Sequence, residues 1–344
     1  MLRFLTAGES HGKALVAIIE GCPANLSLSS VDLDKELSRR QEGYGRGGRM
    51  KLEKDKAEII SGIRYGKTIG SPIAILIPNN STEFFNKLVT AIRPGHADLP
   101  GAQKYNQKDI RNILERASAR ETAAKVAIGA VAKKILSLFG IRVASQIVQI
   151  GGASTKKEWT ELIDEAKKAG DTLGGIFEVV ATGLPVGLGS HVHWDRRLSA
   201  NLARAIVGIP AVKGVEFGLG FDVASTPGSL VQDELFYING KGFRRETNNA
   251  GGLEGGMTNG EPLVIRAAVK PIATLTKPLR SVDLKTKKPT KALVERSDVC
   301  AVEPAAVIGE AVVAFELAKA LQEKFGGDCV EDMTATFKAY QARL

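Results

Sequence analysis

Two segments of the chain are too apolar to lie on a protein surface, and they limit the folds open to it. Residues 118–140 read SARETAAKVAIGAVAKKILSLFG, and residues 304–326 read PAAVIGEAVVAFELAKALQEKFG. Both are alanine-rich and carry apolar side chains around most of a helical circumference. Helices of that kind belong between layers. Ser118 and Glu121 stand in capping-box spacing at the start of the first, and Gly140 closes it. Pro304 opens the second and Gly326 ends it. Two further helices are expected: SVDLDKELSRRQEG, capped by Ser30 and stopped by Gly43, and RLSANLARAIVG, which halts before Pro210.

Strands are expected at ALVAIIEG, AEIISGI, PIAILIPN, IRVASQIVQIGG, IFEVVATG and PLVIRAAVKP, all β-branched runs bounded by glycine, proline or asparagine. They do not alternate strictly with the helices, which argues against a doubly wound parallel sheet. The expected class is α+β, a sandwich with central helices and covering sheets. No linker or fixed-period repeat divides residues 1–344, so a single domain is expected.

Composition sets the setting. At 44% hydrophobic and 25% charged residues the chain is globular rather than disordered. Its 47 lysines and arginines against 38 acids give a formal charge of +9, which favours an anionic partner. Cys22, Cys300 and Cys329 show no CxxC spacing, so neither disulfides nor a zinc site are expected, and a reducing cytoplasm is. No run approaches the roughly 20 apolar residues of a membrane span, and no secretory signal opens the chain.

The positive charge is concentrated in RRQEGYGRGGRM, where Arg39, Arg40, Arg46 and Arg49 stand among Gly43, Gly45, Gly47 and Gly48. Such a loop can wrap a small polyanion, or bind nucleic acid as RGG segments do. The second reading wants stacking aromatics, and the segment holds only Tyr44. Among the four histidines, His11 in GESHG and His96 in RPGHAD lie in polar, glycine-flanked turns, where catalytic residues concentrate. An imidazole there can move protons near neutral pH. His191 and His193 in GSHVHW lack a third ligand at useful spacing, so no metal site is expected. GESHG does not have the G-x-S-x-G spacing of a nucleophile elbow, which speaks against a hydrolase. In RNILERASARETA, Ser118 as N-cap would bring Arg116 and Arg120 together at a helix N-terminus, an anion site. TNNAGGLEGGMTNGEP allows close backbone approach to a ligand, and VERSDVCAVEP sets Arg296 and Asp298 ahead of the second apolar helix.

In this order GESHG, RRQEGYGRGGRM, RPGHAD, RASARETA, NNAGGLEGGMTNGEP and ERSDVCAVEP resemble the chorismate synthase family, from Leu5 to beyond Phe315. The resemblance implies a β-α-β sandwich with central, largely buried helices between antiparallel sheets, usually assembled as a homotetramer. It implies conversion of 5-enolpyruvylshikimate 3-phosphate to chorismate by 1,4-anti elimination of phosphate. It further implies a requirement for reduced FMN with no net redox change and NADPH as a candidate reductant, and neither nucleic acid nor membrane is expected as a partner. Carried over by motif, Arg40, Arg46, Arg49, Arg120 and Arg296 would grip the substrate, and Ser10 and His11 would sit against it, His11 as the acid. His96 would lie near the flavin, and Asp298, with Ser10, would serve in removing the ring proton by way of the flavin. Arg116, Ala117, Ser118, Pro210, Ala211, Gly255, Lys270, Pro271, Ile272, Ala273, Thr274 and Arg296 would line the FMN site. Two departures stand out: Ser297 replaces the usual histidine before the aspartate, and KPIATL is less hydroxyl-rich than the common KPTSS form.

Overall fold

Alternating burial in four of the expected strands builds the two faces that enclose the centre of the molecule. The computed structural model describes residues 1–47, 54–240, 242–295 and 297–344. The first sheet contains β1 (Arg3–Gly8), β2 (Ala14–Glu20), β3 (Glu58–Ile59) and β4 (Ile73–Pro78), antiparallel in the order β1-β2-β4-β3. Its register sets Leu15 opposite Ile77, Ala17 opposite Ile75 and Ile19 opposite Ile73, and all six are buried on one face. The second sheet contains β5 (Arg142–Ile150), β6 (Gly175–Thr182), β7 (Val212–Phe217) and β8 (Leu263–Val269), antiparallel in the order β5-β6-β8-β7. Here Phe177, Val179 and Ala181 face Ala267, Ile265 and Leu263, again all buried.

The helices longer than one turn among the described residues are α1 (Ser30–Gln41), α2 (Asp98–Lys104), α3 (Arg111–Ala117), α4 (Thr122–Ser137), α5 (Lys156–Ala169), α6 (Leu198–Val207), α7 (Val302–Phe325) and α8 (Val330–Gln341). The two apolar segments are α4 and α7, packed on each other between the sheets, α4 against the first and α7 against the second. Gly129 permits the close crossing: a Cβ there would lie 2.3 Å from that of Ala311. One continuous hydrophobic cluster runs from the first sheet through both helices to the second. The α+β, β-α-β layering expected from the sequence is the architecture observed.

Local boundaries differ from expectation at three helix starts, one being α7, which begins at Val302 rather than at Pro304. α1 is capped by Ser29, whose backbone is extended and whose amide donates to Asp32 Oδ2 at 2.9 Å; Ser30 is already helical. Ser118 does not start an α-helix. It caps a 3-10 turn, Ala119–Glu121, accepting from the Arg120 amide at 3.3 Å, while Glu121 turns to Lys125 at 2.9 Å instead of closing a box. Among the described residues no helix is long and apolar enough to cross a membrane, and the three cysteines are free.

Candidate active site

The turn between β1 and β2 presents GESHG, and its tightness rests on Gly8. At φ +104° a Cβ on Gly8 would lie 2.3 Å from the Ala14 carbonyl oxygen. Ser10 and His11 are buried there. The Ser10 amide donates to the Glu115 carbonyl at 2.9 Å, and the His11 amide donates to Glu115 Oε2 at 2.7 Å. The His11 ring meets Glu115 Oε1 through Nδ1 at 2.9 Å. Arg111 Nη1 donates to the same oxygen at 3.2 Å, and its Nη2 donates to Glu295 at 2.8 Å. Burial pushes the Glu115 carboxyl up, but the His11 and Arg111 contacts outweigh it and hold the group below its ordinary value. Sequence reasoning did not single out Glu115; its spacing of four from Arg111 on one helical face was the available signal.

Asn79 joins this turn to the arginines. Its Nδ2 donates to the carbonyls of Glu9 and Gly12 at 2.9 and 2.8 Å, and its Oδ1 accepts from Arg120 Nε at 2.9 Å. Arg120 Nη1 reaches Asp55 Oδ1 at 2.6 Å, and Arg40 Nη2 reaches Asp55 Oδ2 at 2.9 Å. Arg40, Asp55 and Arg120 are all buried, and the one carboxylate bridges the two guanidiniums. Arg40 is driven below the usual arginine value by burial, against the pull of Asp55 and with the push of Arg120 and Arg46. Among the described residues the buried Nε atoms of Arg40 and Arg46 have no hydrogen-bond partner.

The arginine-rich loop is latched on the segment before α7. Tyr44 donates its amide to Glu303 Oε2 at 2.5 Å and its hydroxyl to both Asp164 oxygens at 3.0 Å. Gly45 accepts from the Val299 amide at 2.8 Å, and a Cβ on it would lie 2.7 Å from Ile163 Cγ2. Arg46 Nη1 lies 3.1 Å from Asp298 Oδ2, and the Gly47 amide donates to Asp298 Oδ1 at 2.6 Å. The two residues given opposite roles by the resemblance are thus paired with each other. Arg49 and Arg296 lie outside the described residues.

A second cluster surrounds His96. Arg93 grips buried Asp98 with Nε at 2.9 Å and Nη2 at 3.0 Å, and His96 Nδ1 lies 2.6 Å from Asp98 Oδ1. Burial pushes the Asp98 carboxyl up, yet His96 and Arg93 hold it well below the usual range. Arg93 Nη1 also donates to Thr274 Oγ1 at 3.1 Å. Lys270 donates its Nζ to the Gly95 carbonyl at 2.9 Å and its amide to Ala211, which sits at φ +71°, at 2.9 Å. Thr172 Oγ1 donates to the Ile272 carbonyl at 2.8 Å. The segments 93–98, 210–211 and 270–274 therefore converge. The Lys270 amine is depressed by burial and then by Lys213.

Other expected residues fall elsewhere. Arg116 and Arg120 do not converge on a helix N-terminus, because Arg116 lies in the last turn of α3 and Arg120 in the 3-10 turn that follows it. Arg116 closes α3 and donates to the carbonyls of Gly8 and Thr6 at 3.0 and 2.9 Å, while Arg120 turns inward to Asp55. Ala117 ends α3, and Ser118 Oγ donates to Ser10 Oγ at 3.1 Å. Gly255 occupies a hairpin turn at φ +58°, beside His191 and Met257. His193 pairs with Asp195 at 2.6 Å on the surface, and no group of metal-ligating side chains occurs among the described residues.

The family model for chorismate synthase matches residues 2–322. The chorismate synthase of Caldanaerobacter subterraneus subsp. tengcongensis is 58% identical over 99% of each chain. That of Geobacter sulfurreducens is 53% identical over 99% of this chain and 98% of its own. A crystal structure of chorismate synthase is similar with a TM-score of 0.83 at 45% identity, covering 99% of this chain and 98% of that one. With the layering and the motif residues in place, the chain belongs to the chorismate synthase family, whose members are lyases that remove phosphate as they form chorismate.

Proposed function

We propose that this chain eliminates phosphate from 5-enolpyruvylshikimate 3-phosphate at the site formed by the GESHG turn, the Asp55-linked arginines and the loop carrying Arg46. The observation that carries this reading is the pair of buried guanidiniums, Arg40 and Arg120, bridged by Asp55 and tied through Asn79 to the GESHG turn. A substrate with two carboxylates and a phosphate brings about four negative charges. Desolvated guanidiniums bind such groups in fixed orientation through their planar forks. Arg40, Arg46 and Arg120, joined by Arg49 and Arg296, would hold it.

His11 then donates a proton to the departing phosphate, with Ser10 and Ser118 linked beside it. Asp298 is the chain's proton acceptor. Its carboxylate is engaged by Arg46 and the Gly47 amide, so a substrate carboxylate that draws Arg46 away would also release Asp298.

Reduced FMN suits the neighbouring cluster. Lys270 and Lys213 stand close enough for one to depress the other, and Arg93, held by Asp98, donates to Thr274 beside them. Pro210, Ala211, Lys270, Pro271, Ile272, Ala273 and Thr274 would hold the cofactor with Arg116, Ala117, Ser118, Gly255 and Arg296, and His96 would stand near it. When bound, it supplies electron density to the carbon framework that loses phosphate. NADPH is the proposed reductant, the assembly a homotetramer and the compartment the cytoplasm. The test is anaerobic turnover with dithionite-reduced FMN. Many chorismates should form per flavin; one flavin oxidised per chorismate would overturn the reading.

A further inference from the structure

No step above uses the side chain of Glu115, although it touches His11 twice. We propose that Glu115 is a positioning residue for the reaction: its carboxylate fixes the His11 proton on Nδ1 and so assigns proton donation to Nε2. The inference rests on the reading of His11 as the acid.

One residue of α3 holds two consecutive residues of the turn. Its carbonyl accepts from the Ser10 amide at 2.9 Å, Oε2 from the His11 amide at 2.7 Å, and Oε1 faces His11 Nδ1 at 2.9 Å. The carboxylate is buried, as is Arg111, which clamps it and is itself held by Glu295 at 2.8 Å and by the Lys87 carbonyl at 3.3 Å. An ionised carboxylate offers only acceptors. Facing one, Nδ1 must carry a hydrogen in both the neutral and the charged ring, and the exchangeable proton belongs to Nε2. The ring of Phe84 meets the imidazole edge-on at 5.6 Å and limits its rotation.

A backbone anchor alone would need one acceptor, and glutamine supplies one. In Glu115→Gln the single amide oxygen satisfies the His11 amide, and the NH2 group then faces Nδ1. The tautomer must reverse, with the hydrogen moved to Nε2. Aspartate keeps both acceptors at shorter reach, so Glu115→Asp should restore part of the activity.

The experiment measures kcat and KM with reduced FMN for Glu115→Gln, Glu115→Asp, His11→Asn and the double variant Glu115→Gln/His11→Asn. Imidazole 15N shifts are read in histidine-labelled full-length protein. Glu115→Gln should lower kcat by about 100-fold, as for loss of a general acid, with KM changed less than about threefold. It should add nothing to His11→Asn. The wild-type His11 ring should show the Nδ1–H pattern, and the Gln variant the Nε2–H pattern. An Nε2–H tautomer in the wild type overturns the inference whether or not any variant folds. So does a normal kcat in Glu115→Gln beside an impaired His11→Asn, or a full further loss in the double variant. Near-normal kcat in His11→Asn would instead remove the acid role itself.

Discussion

Asp298 and Arg46 share a contact of 3.1 Å, and that contact decides how each should respond to substitution. The Arg46 side chain is only 11% exposed and its Nε has no partner among the described residues, so an anionic oxygen is the group that would satisfy it. Arg46→Ala should weaken substrate binding by ~1.5–3 kcal/mol, the range for hydrogen bonds to charged groups. That is roughly 10- to 150-fold in the dissociation constant. Arg46→Lys should recover little, since an ammonium cannot reproduce the planar fork. Asp298→Ala removes the acceptor and also frees Arg46 and the Gly47 amide. Its main loss should appear in the single-turnover rate with reduced FMN, while affinity, titrated with oxidised FMN, stays closer to wild type. Normal affinity in Arg46→Ala together with lost affinity in Asp298→Ala would reverse the two roles.

Among the elements, Glu310 ties four together from the middle of α7. It is fully buried, and it meets both Nη atoms of Arg39 on α1 at 2.7 Å, Lys133 on α4, and Ser145 Oγ on β5 at 2.6 Å. Burial alone would raise its carboxyl, but Arg39 and Lys133 bring it down to about 2 from an ordinary 4.5. A depressed folded value means stability that is complete above the unfolded value and lost as protons bind. Glu310→Gln should cost about 1–3 kcal/mol at neutral pH, because it leaves Arg39 and Lys133, both half-buried, to share the carboxylate of Glu36. In urea denaturation the gap to wild type should narrow as pH falls from about 4.5 towards about 2. A gap constant over that window would show that the charge does not do the work. The same contacts mark what sequence could and could not reveal. The strict alternation of β2 and β4 and the apolar girth of α4 and α7 were legible because they are local patterns. The helix α5 was equally local, with Thr155 and Glu158 in a capping box, and was still overlooked. Asp55, Asn79 and Glu115 could not be assigned, since their partners Arg120 and His11 stand 65, 41 and 104 positions away. The motifs name the groups proposed to meet ligand; the carboxylates Asp55 and Glu115, which hold those groups, come only with the fold.

On the scale of the whole molecule, the two sheets share one core, because α4 and α7 bury faces against each other and against both sheets. Neither half could keep its apolar face covered if the other opened, so the chain should unfold as a single unit. The hairpin of Leu235–Ile238 and Gly242–Arg245 is the exception. Leu235, Phe236, Tyr237, Ile238 and Phe243 are all exposed on it, between 42% and 73%. Two strands with both faces wet are marginal in water, and an apolar patch of this kind marks a contact surface. The proposed tetramer would cover it and thereby couple stability to mass action. Helix circular dichroism and the fluorescence of Trp159, buried on α5, should then report one coincident midpoint that rises with protein concentration. Phe243→Asp with Tyr237→Asp should abolish that rise and shift sedimentation towards smaller species, leaving the helical signal intact. A midpoint independent of concentration in the wild type, with sedimentation as a monomer, would overturn the tetramer. Two separate transitions would show instead that the shared core does not make the two sheets one unit.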